Sequence, residues 1–339
     1  MRVFLTGGSG FVGSYVVPAL LDRGHGVRLL VRSEEKARRV LAARGVDPSR
    51  VELLPGDMLD AESVARGVDG CEATVHTAAA IGVTSGGQVP VYEQNTVGAR
   101  TVIGAAVDAG HDPVVHVSSV AVFIPPHGPV IRADSPLGTS RTEYGRSKAA
   151  TEVELRARQD AGEPVTIVYP GGVMGPDQPT LDAALEGIVG ARTQGWPKTS
   201  GGVSLIDVRD LADALAATVA PGQGGRRLML GGAFLTWAEL GALLDDLTGV
   251  RARRVPLPRP VLYAAAWLLD QVRRLRPVAY PLTVDAAEMM TRWVPTDDSA
   301  SLESLGITLR PTRETLEETM RWLAAEGHLA AKHAGRLAP

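Results

Sequence analysis

Cysteine is almost absent from this chain of 339 residues, which contains only Cys71. A single cysteine excludes an internal disulfide and any metal site built from several thiolates. We therefore expect a protein of a reducing compartment, the cytoplasm, in which Cys71 acts as a small buried apolar residue. The histidines do not indicate a metal site either, because no second His, Cys or carboxylate lies at ligand spacing from His76 or His116.

Long apolar runs and charge runs are also missing. The longest apolar run, from Val261 to Leu269, is much shorter than the roughly 20 residues that span a bilayer, so no membrane span is expected. The apolar segment VFL near the N-terminus is too short for the core of a signal peptide. The 35 basic and 38 acidic residues give a net charge of −3 and form no basic stripe, so a nucleic-acid partner is not expected.

Short strand-like segments alternate with helix-like segments through the first half of the chain. The strand-like segments cover residues 2–6, 26–31, 50–54, 73–77, 113–119 and 164–169. Helices are expected to begin near Phe11, Ser33, Asp60, Tyr92 and Glu143. This alternation predicts an α/β fold, a Rossmann-type doubly wound parallel sheet covered by helices.

The regular alternation stops near residue 170, where proline and glycine become frequent. We predict a Rossmann domain for dinucleotide binding over residues 1–170, with returning segments at about 203–232. Residues 171–202 and 233–328 are predicted to form a smaller, mainly helical substrate-binding domain. Residues 329–339 are expected to be a frayed tail.

A glycine-rich segment, TGGSGFVG, lies between the first predicted strand and the first predicted helix. Gly8, Gly10 and Gly13 fit the pattern G-x-G-x-x-G, and Gly7, Gly10 and Gly13 fit the related G-x-x-G-x-x-G. Because glycine has no Cβ atom, a pyrophosphate can approach the backbone closely. The helix that begins at Phe11, with Val12 in its first turn, then points N–H groups at the pyrophosphate. We interpret the segment as a dinucleotide site; the alternative is a simple turn.

The residue after the second predicted strand bears on which dinucleotide binds. An NAD-specific site usually has Asp or Glu there, whereas this chain has Arg32. Because a guanidinium binds two oxygens of a 2′-phosphate, Arg32 favours NADP(H) over NAD(H). Two alternatives stay open: Arg32 is a solvated surface residue, or Glu34 or Glu35 reaches a ribose instead.

Tyr144 and Lys148 lie four residues apart on a predicted helix and therefore share one face. A lysine ammonium beside a phenol stabilises the phenolate, and we expect it to lower the pKa of Tyr144 by as much as roughly three units. That range suits a general acid or base. The chain has only four lysines, so the spacing seldom arises by chance, although an exposed helix pair is the alternative.

Ser118 and Ser119 follow a predicted central strand, on the edge of the sheet where the glycine-rich segment lies. A serine hydroxyl there can donate a hydrogen bond to a substrate carbonyl as negative charge develops on its oxygen. The alternative is a pair of turn serines that satisfy backbone groups.

These residues together resemble a known family. The motifs TGGSGFVG, GDMLD, HTAAA, NTVGARTVIGAA, HVSS, YGRSK, YPGGVMGP and IDVRDLADAL follow one another over nearly the whole chain. In this order they resemble the extended short-chain dehydrogenases/reductases of the NAD-dependent epimerase/dehydratase superfamily. The similarity is strongest to its dihydroflavonol 4-reductase-like and 3β-hydroxysteroid dehydrogenase-like branch.

The resemblance implies roles for individual residues. It implies that Tyr144 is the catalytic tyrosine, that Lys148 binds the nicotinamide ribose and tunes Tyr144, and that Ser119, rather than Ser118, orients the carbonyl. Asn95 matches a structural position near the active site. The implied cofactor-binding residues are Gly7, Gly10, Phe11, Val12, Gly13, Arg32, Asp57, Met58, Ala78, Ala79, Ala80, Lys148, Pro170, Gly171 and Val173.

The substrate is less well defined by the sequence. Gly172 stands where nucleotide-sugar members of the family typically have asparagine. The C-terminal half offers an apolar set that suits a hydrophobic ketone or secondary alcohol, or alternatively forms only a small core. This set comprises Leu257, Val261, Leu262, Trp267, Leu268, Met289, Met290 and Trp293. A nucleotide-sugar epimerase or dehydratase and a non-catalytic cofactor-binding protein stay open as alternatives. By analogy with the family, helices around 92–109 and 143–158 make a homodimer plausible.

Overall fold

The computed structural model describes residues 1–80, 90–140, 143–273, 276 and 282–339. Its strands are β1 (Arg2–Thr6), β2 (Gly26–Val31), β3 (Val51–Pro55), β4 (Ala73–His76), β5 (Val114–Val117), β6 (Val165–Pro170), β7 (Gly172–Met174), β8 (Trp196–Lys198), β9 (Gly202–Asp207), β10 (Arg226–Leu230), β11 (Ala233–Thr236) and β12 (Arg254–Pro256).

The helices within the described residues carry labels in chain order. They are α1 (Phe11–Asp22), α2 (Glu34–Ala43), α3 (Ala61–Val68), α4 (Val91–Asp108), α5 (Glu143–Asp160), α6 (Ala183–Gln194), α7 (Val208–Ala217), α8 (Trp237–Thr248), α9 (Arg259–Arg273), α10 (Val284–Arg292), α11 (Ser299–Leu305), α12 (Thr312–Ala325) and α13 (Ala331–Ala334). None of these helices has the length and apolarity needed to cross a membrane.

Seven strands form one parallel sheet in the order β10-β6-β5-β4-β1-β2-β3. The strand order reverses between β1 and β4, because β1 is followed by β2 on one side and β4 lies on the other. The loops that follow β1 and β4 therefore diverge and leave a crevice at the carboxyl edge of the sheet, where open α/β sheets bind ligands. The predicted doubly wound parallel sheet is confirmed.

Alternation along β1 shows how the sequence covers both faces of this sheet. Val3 and Leu5 point into one buried cluster and Phe4 into another on the opposite face. The predicted helix starts are close to the observed ones because local caps determine them. Ser33 accepts a hydrogen bond from the backbone N–H of Lys36 at 3.2 Å, and Asp60 caps α3 in the same way.

The second half of the chain is mainly helical, as predicted, from α8 through α12. Short strands accompany these helices: β7, β9 and β11 form a three-stranded sheet, and β8 pairs with β12. A third buried cluster lies among α6, α8 and α12. The boundary between two domains near residue 170 stays a prediction.

The expectation of a frayed C-terminal tail is wrong. Leu329, Ala334 and Leu337 are almost completely buried in the third cluster. The Arg336 side chain donates a hydrogen bond from Nε to the carbonyl oxygen of Leu247 at 2.8 Å. The tail looked unstructured because most of its residues are small, but Leu329, Ala334 and Leu337 are spaced so that they reach the same core.

Candidate active site

The glycine-rich segment packs tightly between β1, α1 and the loop after β4. Gly7 has a φ of +84°, and a Cβ there would lie 2.5 Å from the side-chain oxygen of Thr77. A Cβ at Gly13 would overlap the carbonyl oxygen of Gly7. Gly8, by contrast, packs on the side chain of Leu29. Of the two glycine patterns, the structure therefore uses Gly7, Gly10 and Gly13 to bring loop and helix together.

The N-terminus of α1 has the donors that an anion needs. Gly10 is the N-cap residue and offers no side chain, and the helical hydrogen bonds start with Ser14 N to Gly10 O at 3.0 Å. Within the described part of the chain, the N–H groups of Phe11, Val12 and Gly13 thus lack backbone acceptors. A Cβ at Gly10 would meet only the oxygen of Gly7, at 3.1 Å. This open, positively polarised cradle fits a dinucleotide pyrophosphate.

Arg32 lies at the carboxyl end of β2, beside the glycine-rich segment. It is exposed, and its side chain forms no ion pair with any residue the structure describes. Glu34 is already paired with Arg38, whose Nη2 lies 3.2 Å from its carboxylate. Glu35 is exposed in the first turn of α2. Of these charged groups, Arg32 is the one at the strand end that is available to a phosphate.

Asp57 and Met58 follow β3 at the same edge. The carboxylate of Asp57 accepts a hydrogen bond from the backbone N–H of Leu59 at 3.0 Å, which fixes the turn after the strand. Met58 lies against Gly98 of α4, and a Cβ built on Gly98 would come within 2.9 Å of the Met58 sulfur. Both predicted cofactor residues therefore line the edge next to β2, on the side of Arg32.

Ala78, Ala79 and Ala80 form the loop that leaves β4, and one buried amide fixes its end. Asn95 of α4 accepts a hydrogen bond from Ala80 N at 2.8 Å and donates one to Ala80 O at 3.1 Å. The same amide nitrogen donates to the Ser147 hydroxyl at 3.1 Å, and that hydroxyl donates to the carbonyl oxygen of Tyr144 at 2.7 Å. Asn95 therefore joins the predicted cofactor loop to the helix that carries Tyr144.

Ser119, Tyr144 and Lys148 come together at the carboxyl end of β5. The Ser119 hydroxyl faces the Tyr144 phenol closely enough to lower the pKa of that phenol. The Ser119 oxygen also accepts a hydrogen bond from Ala121 N at 3.1 Å, which holds it at the start of a short helical turn. The Lys148 ammonium donates to the carbonyl oxygen of Val117 at 2.8 Å and lies 6.0 Å from the centre of the Tyr144 ring.

The electrostatics of the pair differ from the expectation. Burial raises the pKa of Tyr144 above its usual value, and the hydrogen bond from Ser119 offsets only part of this effect. Burial lowers the pKa of Lys148 to about 8, against the opposing effect of the Glu152 carboxylate. The expected depression of the pKa of Tyr144 is therefore wrong for this structure. The expectation fails because the Lys148 ammonium binds the Val117 carbonyl and stays 6.0 Å from the centre of the Tyr144 ring.

Ser118 has a different role from its neighbour. Its hydroxyl donates a hydrogen bond to the carboxylate of Glu152 at 3.2 Å. This carboxylate is completely buried and also accepts hydrogen bonds from Arg156 and Tyr169. Ser118 is thus occupied, and Ser119 is the serine that faces Tyr144. Glu152 was missed by the sequence analysis, although its position four residues after Lys148 places both side chains on one face of α5.

The two strand histidines form a neutral pair under the lysine. The rings of His76 and His116 are stacked with centres 5.3 Å apart, and Nδ1 of His76 lies 2.6 Å from the Thr6 hydroxyl. Burial, and then the Lys148 cation, lowers the pKa of His76 to about 3 and that of His116 well below its usual value. The described residues contain no cluster of three or more His, Cys, Asp or Glu side chains that could hold a metal ion.

The segment after β6 continues along the same edge. Pro170 ends β6, and Gly171 lies so close to the Gly231 carbonyl that a Cβ would overlap it. Val173 of β7 packs against the first core cluster. A Cβ at Gly172 would lie 3.1 Å from a methyl of Leu205, 3.3 Å from the backbone oxygen of Ser204 and 3.4 Å from a methyl of Val203. The position thus faces strand β9.

The predicted apolar substrate lining divides into two groups. Leu262 and Trp293 are buried, and Leu257 and Met289 are partly buried against core clusters. The Met290 carbonyl accepts a hydrogen bond from the Trp237 indole at 2.7 Å. Three further residues of this set, Val261, Trp267 and Leu268, are exposed to solvent on α9. Their expected place in a pocket or core is wrong, because the opposite face of α9 is the one that packs.

Comparison with known proteins gives consistent matches. The sequence model of the NAD dependent epimerase/dehydratase family matches residues 3–231. The chain is 28% identical to sterol demethylase protein B of Methylococcus capsulatus, over 96% of this chain and 99% of that protein. It is 29% identical to a 4-hydroxy-2-methyl-3-oxo-4-farnesyl-3,4-dihydroquinoline-1-oxide ketoreductase of Stigmatella aurantiaca, over 98% and 99%. The crystal structure of gox2253 has the same fold, with a TM-score of 0.79, 24% identity and coverage of 97% and 99%.

Proposed function

Because the chain belongs to the NAD dependent epimerase/dehydratase family and is an enzyme of the extended short-chain dehydrogenase/reductase type, we propose that it is an NADPH-dependent reductase. Its proposed substrate is a hydrophobic ketone, or in reverse a secondary alcohol. One observation carries the proposal: Ser119 and Tyr144 face each other beside buried Lys148, on the sheet edge that also carries the open cradle at Gly10.

The residues of the chain have separate tasks in this reaction. A bound nicotinamide supplies the hydride. Tyr144 donates its phenolic proton to the substrate oxygen, and its raised pKa keeps that proton in place near neutral pH, as reduction requires. The Ser119 oxygen accepts from Ala121 N, which fixes the hydroxyl beside Tyr144, and when substrate binds the serine proton turns from the phenol to the substrate oxygen. The Lys148 ammonium donates one hydrogen bond to the Val117 carbonyl, and its two other N–H groups can donate to a ribose.

The preference for NADPH over NADH depends on Arg32. Its exposure at the end of β2 and the engagement of Glu34 by Arg38 support a site for a 2′-phosphate. A bidentate guanidinium gains most from a ligand that brings two anionic oxygens, and a ribose 2′-hydroxyl brings none.

The substrate class is supported by the surroundings of Gly172. The position faces methyl groups of Leu205 and Val203 and the backbone of Ser204, and it lacks the amide that the family resemblance associates with sugar-diphosphate binding. Two relatives carry names that refer to a sterol and to a farnesylated quinoline ketone, which are hydrophobic molecules. The family also contains epimerases and dehydratases, as its name says, and a nucleotide-sugar reaction is the alternative.

We further propose a cytoplasmic homodimer that pairs through α4 and α5. Tyr92 of α4 and Val153 of α5 are large apolar side chains with exposed fractions of 40% and 61%. Two copies of these helices would bury both residues in a four-helix arrangement. Light scattering on wild type and on Val153→Glu tests this proposal, because the charge is expected to dissociate the dimer.

Consumption of NADPH tests the reaction itself. Purified protein is mixed with NADPH or NADH and a panel of steroid ketones, flavanonols, aromatic ketones and nucleotide sugars, and near-ultraviolet absorbance is followed. We expect a hydrophobic ketone to oxidise NADPH, and Tyr144→Phe to abolish this turnover while NADPH still binds. Conversion of a nucleotide sugar with the cofactor unchanged at the end would replace the reductase with an epimerase or dehydratase.

A further inference from the structure

Helix α9 carries an outward face that is entirely apolar over two turns. Val261, Ala264 and Leu268 are spaced three and four residues apart and lie on one side of the helix, with Trp267 at its edge. All four are exposed, and the exposed fractions of Val261, Trp267 and Leu268 are 52%, 59% and 58%. The opposite side, with Leu262 and Ala266, is buried. The residues that the structure describes thus leave the outward face of α9 exposed.

The stretch of sequence that contains α9 is rich in arginine. Between Asp246 and Asp285 the sequence contains seven arginines and a single acidic residue, Asp270, in a chain whose net charge is −3. Four of these arginines are exposed, namely Arg251, Arg253, Arg259 and Arg276. The Asp270 carboxylate is itself bound by Arg273, at 2.6 Å. An apolar helix face therefore lies within a strongly basic part of the chain.

We propose that this part of the protein, α9 with its flanking arginines, binds the surface of an anionic lipid bilayer. Exposed tryptophan and leucine enter the boundary between headgroups and acyl chains, and arginines beside them bind anionic headgroups. A protein partner is the less favoured occupant, because two turns of the face offer no side-chain donor or acceptor apart from the indole N–H. The helix lies on the membrane and does not cross it.

The position of α9 suggests what membrane binding would do for the reaction, an argument that rests on the proposed function. Ala287 of α10 packs against α9, whereas Met289 of the same helix packs against the cluster that contains Phe123. Phe123 lies four residues after Ser119. Helix α10 thus lies between α9 and the buried cluster that also contains Phe123. A hydrophobic ketone dissolved in the bilayer would enter the protein on this side.

Flotation with lipid vesicles tests the proposal. Wild-type protein is mixed with vesicles of phosphatidylcholine alone, or of phosphatidylcholine with an equal amount of phosphatidylglycerol. We expect flotation with the anionic vesicles only, and its loss at high salt. The double variant Trp267→Glu, Leu268→Glu is expected to lower the affinity for anionic vesicles at least about tenfold. Arg39→Glu, which makes the same change in net charge on exposed α2, is expected to leave it unchanged.

Other outcomes overturn the proposal. It is wrong if wild type does not float with anionic vesicles, or if the double variant floats as well as Arg39→Glu. It is also wrong if the double variant changes only the oligomeric state, since α9 would then be an interface between copies. Turnover of a water-soluble ketone without lipid is measured in parallel. That readout is expected to be equal in all three proteins, so failure of membrane binding and failure of the reductase proposal are distinguishable.

Discussion

Replacing Glu152 with glutamine is expected to shift the pH dependence of the reaction. Glu152 is completely buried on α5, one turn after Lys148, and its negative charge opposes the effect of burial on the lysine. The other titratable groups around Lys148 are Tyr144 and the stacked His76 and His116, both of which have lowered pKa values. Glu152 is thus the main group that keeps the ammonium charged.

The size of the shift follows from Coulomb's law. Side chains one helical turn apart are separated by about 6 Å, and an effective dielectric constant of about 20 gives an interaction of about 3 kcal/mol. This corresponds to about two pKa units. The pKa of Lys148 is about 8 in the wild type. Glu152→Gln is therefore expected to lower it to about 6, and the ammonium form is lost as pH rises through that lower value.

The pH profile of kcat/KM for ketone reduction is the appropriate assay, because it reports pKa values of the free enzyme. In wild type we expect activity to fall as pH rises through about 8. In Glu152→Gln this fall is expected at a lower pH, with activity largely restored in acid. Glu154→Gln, a partly exposed carboxylate on the same helix, is the matched control. A uniform loss at every pH in Glu152→Gln, with an unshifted profile, would refute the electrostatic role.

Three further predictions concern the cofactor cradle, the cofactor preference and the C-terminal core. Gly13→Ala is expected to weaken NADPH binding in calorimetry by more than about tenfold, because its Cβ would overlap the Gly7 carbonyl. The control Gly104→Ala on α4 has room for its Cβ and is expected to stabilise the fold by up to about 1 kcal/mol. Equal NADPH affinity of the two variants would contradict this prediction. Arg32→Asp is expected to raise the KM for NADPH at least about tenfold and to leave NADH little affected, and a KM for NADPH equal to that of wild type would exclude a phosphate contact. Leu329→Ala is expected to lower the free energy of unfolding in urea by about 2–5 kcal/mol, because the side chain is 1% exposed; a change below about 0.5 kcal/mol would show that the tail is not part of the core.

The parts of the fold that sequence analysis predicted are those determined locally. Strands β1 and β2 agree residue for residue with the predicted segments, because each is a short apolar run flanked by polar or glycine residues. The glycine cradle and the pair of Tyr144 and Lys148 also depend on local geometry, a turn and one helical turn. Their position at one edge follows from the parallel sheet.

The wrong predictions concern properties that depend on distant contacts. The sequence VLYAAAWLL is apolar on every side, so periodicity could not show which face of α9 is buried. The pKa of Tyr144 depends on how far it is buried and on what else binds Lys148, and neither follows from the spacing of the two residues. Glu152 was overlooked because its partners Ser118, which follows β5, and Tyr169, in β6, are distant from it in the sequence.

The hydrogen bonds of Asn95 have a consequence for protein engineering. This one amide connects Ala80 beside the cofactor cradle to α5, so a change on either side of it disturbs both cofactor affinity and the position of Tyr144. Arg32 has no such connection among the described residues and lies at the exposed rim. Under the proposed function, we therefore expect the choice of nucleotide and the chemical step to be separable traits. Changes at the exposed end of β2 are then expected to alter the preferred nucleotide and to leave α5 in place.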